Sequence, residues 1–531
     1  MDVFAPRHES SAGIAGDSTR LRVPDWLRRQ TYALPIDLFR VLAGLLSGAY
    51  FVSLLRQVED FSSPAGLIDH GLIQHVFWFT RLSLFQPGLG DAFFRAVFAL
   101  ACVGSIAIVV GYRVKLCAGA LFAIAVSAYR WNFIVMYVDD SLMHLLLLWL
   151  LLLPVGRTLV LAQWIREGRG CWARWLRVTV PGTAVYALLG NLCLIYLVAG
   201  LWKLESPFWR NGFALYATLR LPIGRFPDLW GPQDLAWLRS ATHAALAIEA
   251  GLPFLLLLRA GHPLKWFGLA CLLAFHLGIV ATLRIPFANL GCVAAGLLFF
   301  REEIMRALLR REGARVELGL SSRVDRAGRV ALWLLAFLTL AMMRRLPLVG
   351  EVHKPAYALL WLGGVAQDYQ LFNWIDKKNW RGETVVWSIA RGPQGLAEPA
   401  ADLFPPSLRG VLLQAYLHDV RWIKVPREYR EALKQSILSR AAQRFCRRHP
   451  TDAVVAETVT QRITPDNVNL DQGETKFLME FQCRNGGAVV CRTLLNLERS
   501  KECCWPPWKV SPGCGGLAPR SAEPGAVSPG W

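Results

Sequence analysis

Charge is scarce in this chain. Of its 531 residues, 18% are Asp, Glu, Lys or Arg and 54% are hydrophobic, whereas ordinary globular domains carry about 25% charged residues. That deficit makes a membrane protein the first expectation. Acidic residues are scarcer still, 39 against 58 Lys and Arg, giving a net charge of +19. Such an excess would suggest nucleic acid if it lay on one polar domain, but it sits mostly in short loops between apolar runs. There is no RNP-type motif, no zinc-ligand spacing and no glycine-rich phosphate loop, so neither nucleic acid nor a metal is expected as a partner. Residues 1–34 are polar and arginine-rich, without an apolar core or a small-residue cleavage site. They are read as a basic tail rather than a signal peptide, with "VPDWLRRQ" (23–30) either a short interfacial helix or, preferred, a solvated stretch. No repeat of solenoid length is present.

What the chain has in abundance is long apolar segments. Stretches near 35–55, 92–112, 115–130, 140–156, 179–201, 241–258, 264–283, 285–300 and 328–343 each approach the roughly 20 residues that cross a bilayer. The basic loops 111–115, 157–177, 259–265 and 301–329 fall on one side of that pattern, with the basic N-terminus. By the positive-inside rule this side is cytoplasmic. Nine crossings then leave the C-terminal region outside the cytoplasm, with the loops 56–91, 131–139, 202–240 and the turn near Arg284. The expected fold is an all-α polytopic membrane domain of about nine transmembrane helices over 35–345, in contact with membrane lipid. A small α+β extracytoplasmic domain follows over 346–483, where "ETVVWSIARG" (383–392) alternates like a strand and 426–450 reads as an amphipathic helix. The Pro-, Gly- and Ser-rich residues 484–531 are expected to be a disordered tail. Of twelve cysteines, six lie in or beside apolar segments. The other six follow residue 440 in a compartment that permits disulfides, with no pairing fixed by spacing.

Ionisable groups inside a membrane cost about 2.5–3.5 kcal/mol at its centre, so they mark structure or function. Asp37 and Arg40, three residues apart, are read as a self-neutralising structural pair. Asp139 and Asp140 precede a helix where a carboxylate caps orphan N–H groups, or else they face an outer cavity. His276 reads as a satisfied interior histidine, and Glu249 as the partner of a neighbouring helix. Lys203 stands at the end of "YLVAGLWKLESPFWRNG" (196–212), near Glu205, Trp209 and Arg210. It is either an interfacial anchor or a lysine whose ammonium form is disfavoured by apolar walls and a neighbouring cation, and so a base.

The segments "PIDLFRVLAGLL", "NFIVMYVDDSLMHLLLLWLLLLPVG", "LIYLVAGLWKLESPFWRNGFALY", "IEAGLPFLLLL" and "FHLGIVATLRIPFANLG" together resemble the horizontally transferred transmembrane (HTTM) domain, the membrane domain shared with vitamin K-dependent gamma-glutamyl carboxylase. The resemblance covers about residues 35–300. Its most specific part is the "AGxxKL…W…G" pattern of Ala199, Gly200, Lys203, Leu204, Trp209 and Gly212. It implies that Lys203 is the base that deprotonates a reduced vitamin K or related quinone. In that scheme oxygen addition makes a stronger base, which takes a proton from a peptide glutamate before carbon dioxide adds. His276 matches a family histidine, and Asp140 stands where the carboxylase has another, so Lys203, Asp140 and His276 are the implied catalytic set. Asp139, Glu205, Trp209 and Arg210 are the expected substrate-binding residues, and the partner is an exported peptide or protein. The membrane would be a bacterial inner membrane or the endoplasmic reticulum. Two alternatives stay open: a non-enzymatic membrane factor that binds or matures an exported peptide, and a transporter, for which paired broken helices are lacking.

Overall fold

The computed structural model describes residues 24–493 apart from 222, 314–317, 322–323, 344–352, 367–381, 392–395, 400–402, 419–426, 450–452 and 464–473. The expected tail beyond residue 493 lies outside the described residues. Helix dominates because an apolar run without water must satisfy its backbone internally. Helices coincide with all nine expected segments: α1 (Ala33–Arg56), α2 (Asp91–Val110), α3 (Val114–Trp131), α4 (Val138–Leu152), α5 (Thr183–Leu204), α6 (Leu235–Leu256), α7 (Pro263–Thr282), α8 (Pro286–Gly296) and α9 (Arg326–Met342). Among the described residues, five are long and apolar enough to cross a membrane: α1, α2, α3, α5 and α7. The other four fall short for local reasons. α4, α8 and α9 have 15, 11 and 17 residues, and α6, with 22, carries Arg239, Glu249 and an internal Pro253.

α5 is the central helix. Of its apolar window 61% is buried, against 28% in α2 and 22% in α7, and it packs against α6 and α9. The outer helices turn Leu100, Val103, Ile106, Phe267 and Leu277 outward, an apolar surface of the kind that lipid covers.

The two ends of the bundle are tied differently. At the end that begins α1, Asp37 and Arg40 are fully buried and 2.9 Å apart. The carboxylate also accepts the backbone N–H groups of Gly156, Arg157 and Thr158 and the Thr158 hydroxyl, at 2.6–2.9 Å. The guanidinium donates to the carbonyls of Ile108, Val109, Thr158 and Leu159. The pair is thus a knot that fixes the ends of α2 and the 153–160 loop to α1. Residues 24–34 are not a solvated tail: β1 (Gln30–Tyr32) pairs antiparallel with β2 (Thr179–Pro181), and Tyr32 and Leu34 pack on Leu176, Met305 and Leu309.

At the other end sits the C-terminal region. An antiparallel sheet runs in the order β4-β3-β5-β6-β7, formed by β3 (Gly382–Arg391), β4 (Leu396–Pro399), β5 (Ala453–Ile463), β6 (Glu474–Arg484) and β7 (Gly487–Thr493). Helices α10 (Leu408–His418) and α11 (Arg427–Arg448) accompany it, and a disulfide, Cys446–Cys483, joins α11 to β6. The change to a tail expected at about residue 484 instead falls inside a hairpin. Asn485 and Gly486 both take positive φ, 51° and 76°, the geometry of a two-residue turn that matches strand twist. Phe61, Leu67, Ile68 and Ile134 from the membrane-domain loops share one core with Leu413, Leu433, Leu438 and Phe481. Arg440 adds bonds to the carbonyls of Pro64 and Gly66, and Arg444 pairs with Asp60.

Under this core His70 stacks on Trp131, with ring centroids 4.0 Å apart, and donates from Nε2 to the Asn132 Oδ1. Burial pushes its pKa down to about 4, against about 6.5 in an unfolded chain. As pH falls the unfolded state therefore binds the proton first. Stability is full above about pH 6.5 and drops by about 3 kcal/mol on the way to pH 4. Unfolding curves at several pH values for wild type and His70→Phe check this, since the variant should lose that part of the slope.

Candidate functional site

Lys203 lies in the last turn of α5, buried, with 3% of its surface exposed. Its position follows from Gly200, one turn earlier. A Cβ there would lie 3.2 Å from the Ala250 backbone N and Cα, so any larger residue would push α5 and α6 apart by a few tenths of an ångström or more, and the glycine lets them approach as small residues do between membrane helices. The approach sets Glu249, 5% exposed, against Lys203, and the ammonium donates to Glu249 Oε2. Trp209, from the short helix Pro207–Arg210, places its ring 4.9 Å from Nζ, a cation–π contact. Gly212 then turns the chain with φ +75°. Gly200→Leu is expected to force the helices apart at a cost of about 1–3 kcal/mol, read as a lower melting temperature in detergent together with loss of any activity that needs the ion pair.

The surroundings differ from the expectation. Glu205 and Arg210 are exposed, and the Arg210 carbonyl accepts a bond from His243 Nε2. The group set against the ammonium is thus a carboxylate on another helix, where a neighbouring cation was expected. Its partner stands 46 residues away in the chain, a separation no helical period relates. A proton moved from Nζ to the carboxylate leaves an amine and a carboxylic acid and creates no charge. This is the form in which a buried pair can supply a base without an isolated ion.

Two turns before Lys203, the Tyr196 hydroxyl donates to His276 Nε2 at 2.5 Å. His276 Nδ1–H donates to Asn289 Oδ1 at 2.8 Å, and the Asn289 amide donates to the Ile285 carbonyl at 2.6 Å. That last bond fixes the amide orientation and hence the imidazole tautomer. The Cys292 thiol adjoins the same tyrosine hydroxyl. Lys203 with Glu249 and Trp209, and His276 with Tyr196 and Asn289, are thus two groups anchored two turns apart on α5, and the sequence did not single out Glu249, Tyr196 or Asn289 for them.

Asp139 and Asp140 serve a different place. Asp140 caps its own helix by accepting the Tyr137 N–H at 3.0 Å. It also accepts from the Tyr50 hydroxyl at 2.8 Å and from Arg409 of α10 at 2.9 Å. Asp139 accepts the Phe287 and Ala288 N–H groups at the start of α8 and the Tyr137 hydroxyl. It therefore caps a helix far along the chain, not its own. Asp139 borders a cavity of about 520 Å³ with Tyr50, Tyr137, Arg225, Arg284 and Arg409, and Lys203 does not. A second, apolar cavity of about 40 Å³, lined by Met143, Trp149, Asn191, Ile195 and Cys292, lies beside Tyr196. No protein-family model matches this chain, and neither a curated protein nor a solved structure is found to be similar to it.

Proposed function

We propose that this chain is an HTTM-type membrane protein related to vitamin K-dependent gamma-glutamyl carboxylase, in which the Lys203–Glu249 pair, with Tyr196 and His276, handles a proton at a buried site. It crosses the membrane nine times, with its N-terminus in the cytoplasm and its C-terminal region outside. Support for this topology comes from the loops: those expected outside share a core with the C-terminal region, and those expected inside pack with the N-terminal strand. The Cys446–Cys483 disulfide suits a compartment that is not reducing.

The observation that carries the functional reading is the buried Lys203–Glu249 ion pair, Lys203 being the residue to which the resemblance assigns the base; the Tyr196–His276 hydrogen bond lies two turns earlier on the same helix. The reaction class is oxygen-dependent epoxidation of a reduced quinone coupled to carboxylation of peptide glutamate. The 40 Å³ cavity beside Tyr196 is far below the roughly 300 Å³ of small ligand pockets. A bicyclic quinone does not fit there in this conformation. The test is epoxide formation from reduced vitamin K by the purified protein, wild type against Lys203→Ala. Epoxide from wild type alone supports the reading.

Silence with several reduced quinones would favour the second reading, a non-enzymatic factor for an exported peptide. That reading has its own observation: Glu249 already neutralises Lys203, and neither of the two cavities described above has Lys203 in its lining.

A further inference from the structure

The 520 Å³ cavity between the membrane domain and α10 is unused by the proton-handling reading. Residues 223–225 and 282–284 form a small antiparallel bridge, Gly224 opposite Leu283, which sets Arg225 and Arg284 at the same wall. Arg225 is pinned through Nε, which donates to the Val280 and Leu283 carbonyls at 2.9 and 3.1 Å, and Arg284 through a 2.7 Å bond to the Pro406 carbonyl. Among the described residues no carboxylate pairs with either guanidinium, and Asp139, the acid on this wall, is committed to the start of α8. Burial, and then the charge of Arg225, pull Arg284 below the usual arginine range. Across the cavity, Arg409 is 6% exposed, and its Nε is buried with no partner although its other nitrogens reach Asp140 and Gln57.

Two like charges held together by backbone bonds, with no carboxylate of their own among the described residues, describe a site whose counter-ion is a ligand. Its volume falls within the roughly 300–1,000 Å³ of ligand pockets. Phe226, 57% exposed, and Phe287 and Leu408 give the rim an apolar side. We propose that this cavity binds a phosphate group, seated between Arg225 and Arg284 and reaching toward Arg409. Its tetrahedral oxygens match several guanidinium forks at once, better than one carboxylate does. The source is either free phosphate or the headgroup of an anionic lipid whose chains lie on the apolar rim. The inference stands whether or not the protein makes epoxide.

The test uses the full-length protein in neutral detergent. Melting temperature is followed against inorganic phosphate at constant ionic strength, and separately against a short-chain phosphatidic acid with its uncharged diacylglycerol as control. The expected result is a saturable rise with at least one phosphate probe and none with chloride or diacylglycerol. The apparent affinity should weaken at least about tenfold in Arg225→Gln/Arg284→Gln, in proportion to the lost charge-assisted bonds. Response to phosphatidic acid alone identifies a headgroup, and response to both identifies the phosphate itself. Should the double variant not fold, Arg225→Gln alone, an exposed position, is compared by broadening of the phosphorus NMR signal of added phosphate. No response to either probe, or one that the arginine substitutions leave unchanged, overturns the proposal.

Discussion

Glu249→Ala is expected to destabilise the purified protein by about 3–5 kcal/mol, because it leaves the Lys203 ammonium buried without its counter-charge. Lys203→Ala should cost a similar amount by stranding the carboxylate. Both groups are almost wholly buried, so neither can recover by turning to water. Replacing both by methionine should restore most of the loss, since a buried ion pair exchanged for apolar groups of like volume is often neutral or stabilising. Thermal unfolding in detergent for the four proteins measures this. The double methionine variant also separates two roles: a pair that serves only to join α5 and α6 is replaced by it, whereas a pair that moves a proton is not.

The second large effect is expected at the opposite end of the bundle. Asp37 accepts five hydrogen bonds, one from Arg40 on its own helix and four from the 156–158 loop. Asp37→Ala orphans those donors and leaves Arg40, with no exposed surface, as an unpaired buried cation. A loss of at least about 4–5 kcal/mol follows, toward the upper limit of single substitutions, and much of the protein should fail to reach a monodisperse folded form. Asp37→Asn keeps the shape and one acceptor oxygen and should fall between. Limited proteolysis in the 153–160 loop, which the aspartate ties down, reads the local consequence. Equal resistance of wild type and Asp37→Ala would mean that the loop is held by something else.

Local pattern carried the Asp37–Arg40 pair and not the Lys203–Glu249 pair. Asp37 and Arg40 are one turn apart on a single helix, so their pairing is visible in the spacing. Their backbone partners at 108–109 and 156–159 are not, because loop geometry brings them there. Lys203 stood out as a charge closing an apolar helix, yet Glu249 belongs to a different helix whose rotation about its axis the sequence does not state. The cation expected to tune the lysine, Arg210, was chosen for nearness in the chain, and nearness in the chain misled. Asp139 looked like a cap for its own helix and caps α8 instead. Arg409 lay in a segment with no outstanding pattern, and only docking of α10 reveals it as the partner of Asp140. The hairpin at "RNGG" (484–487) is legible from its Asn-Gly turn signal, and it extends the ordered sheet past the boundary that composition suggested.

The central claim is that Lys203 and Glu249 act as one proton-handling unit. Its most direct test is the initial rate of oxygen-dependent epoxide formation from reduced vitamin K in wild type, Lys203→Ala, Glu249→Ala and the double variant. Groups that work as a unit give non-additive losses, so each single substitution should lower the rate about 10²–10⁴-fold, the usual range for a lost acid or base, and the double should lose little more. Retained epoxide formation in Lys203→Ala, or losses that simply multiply in the double variant, would contradict the account.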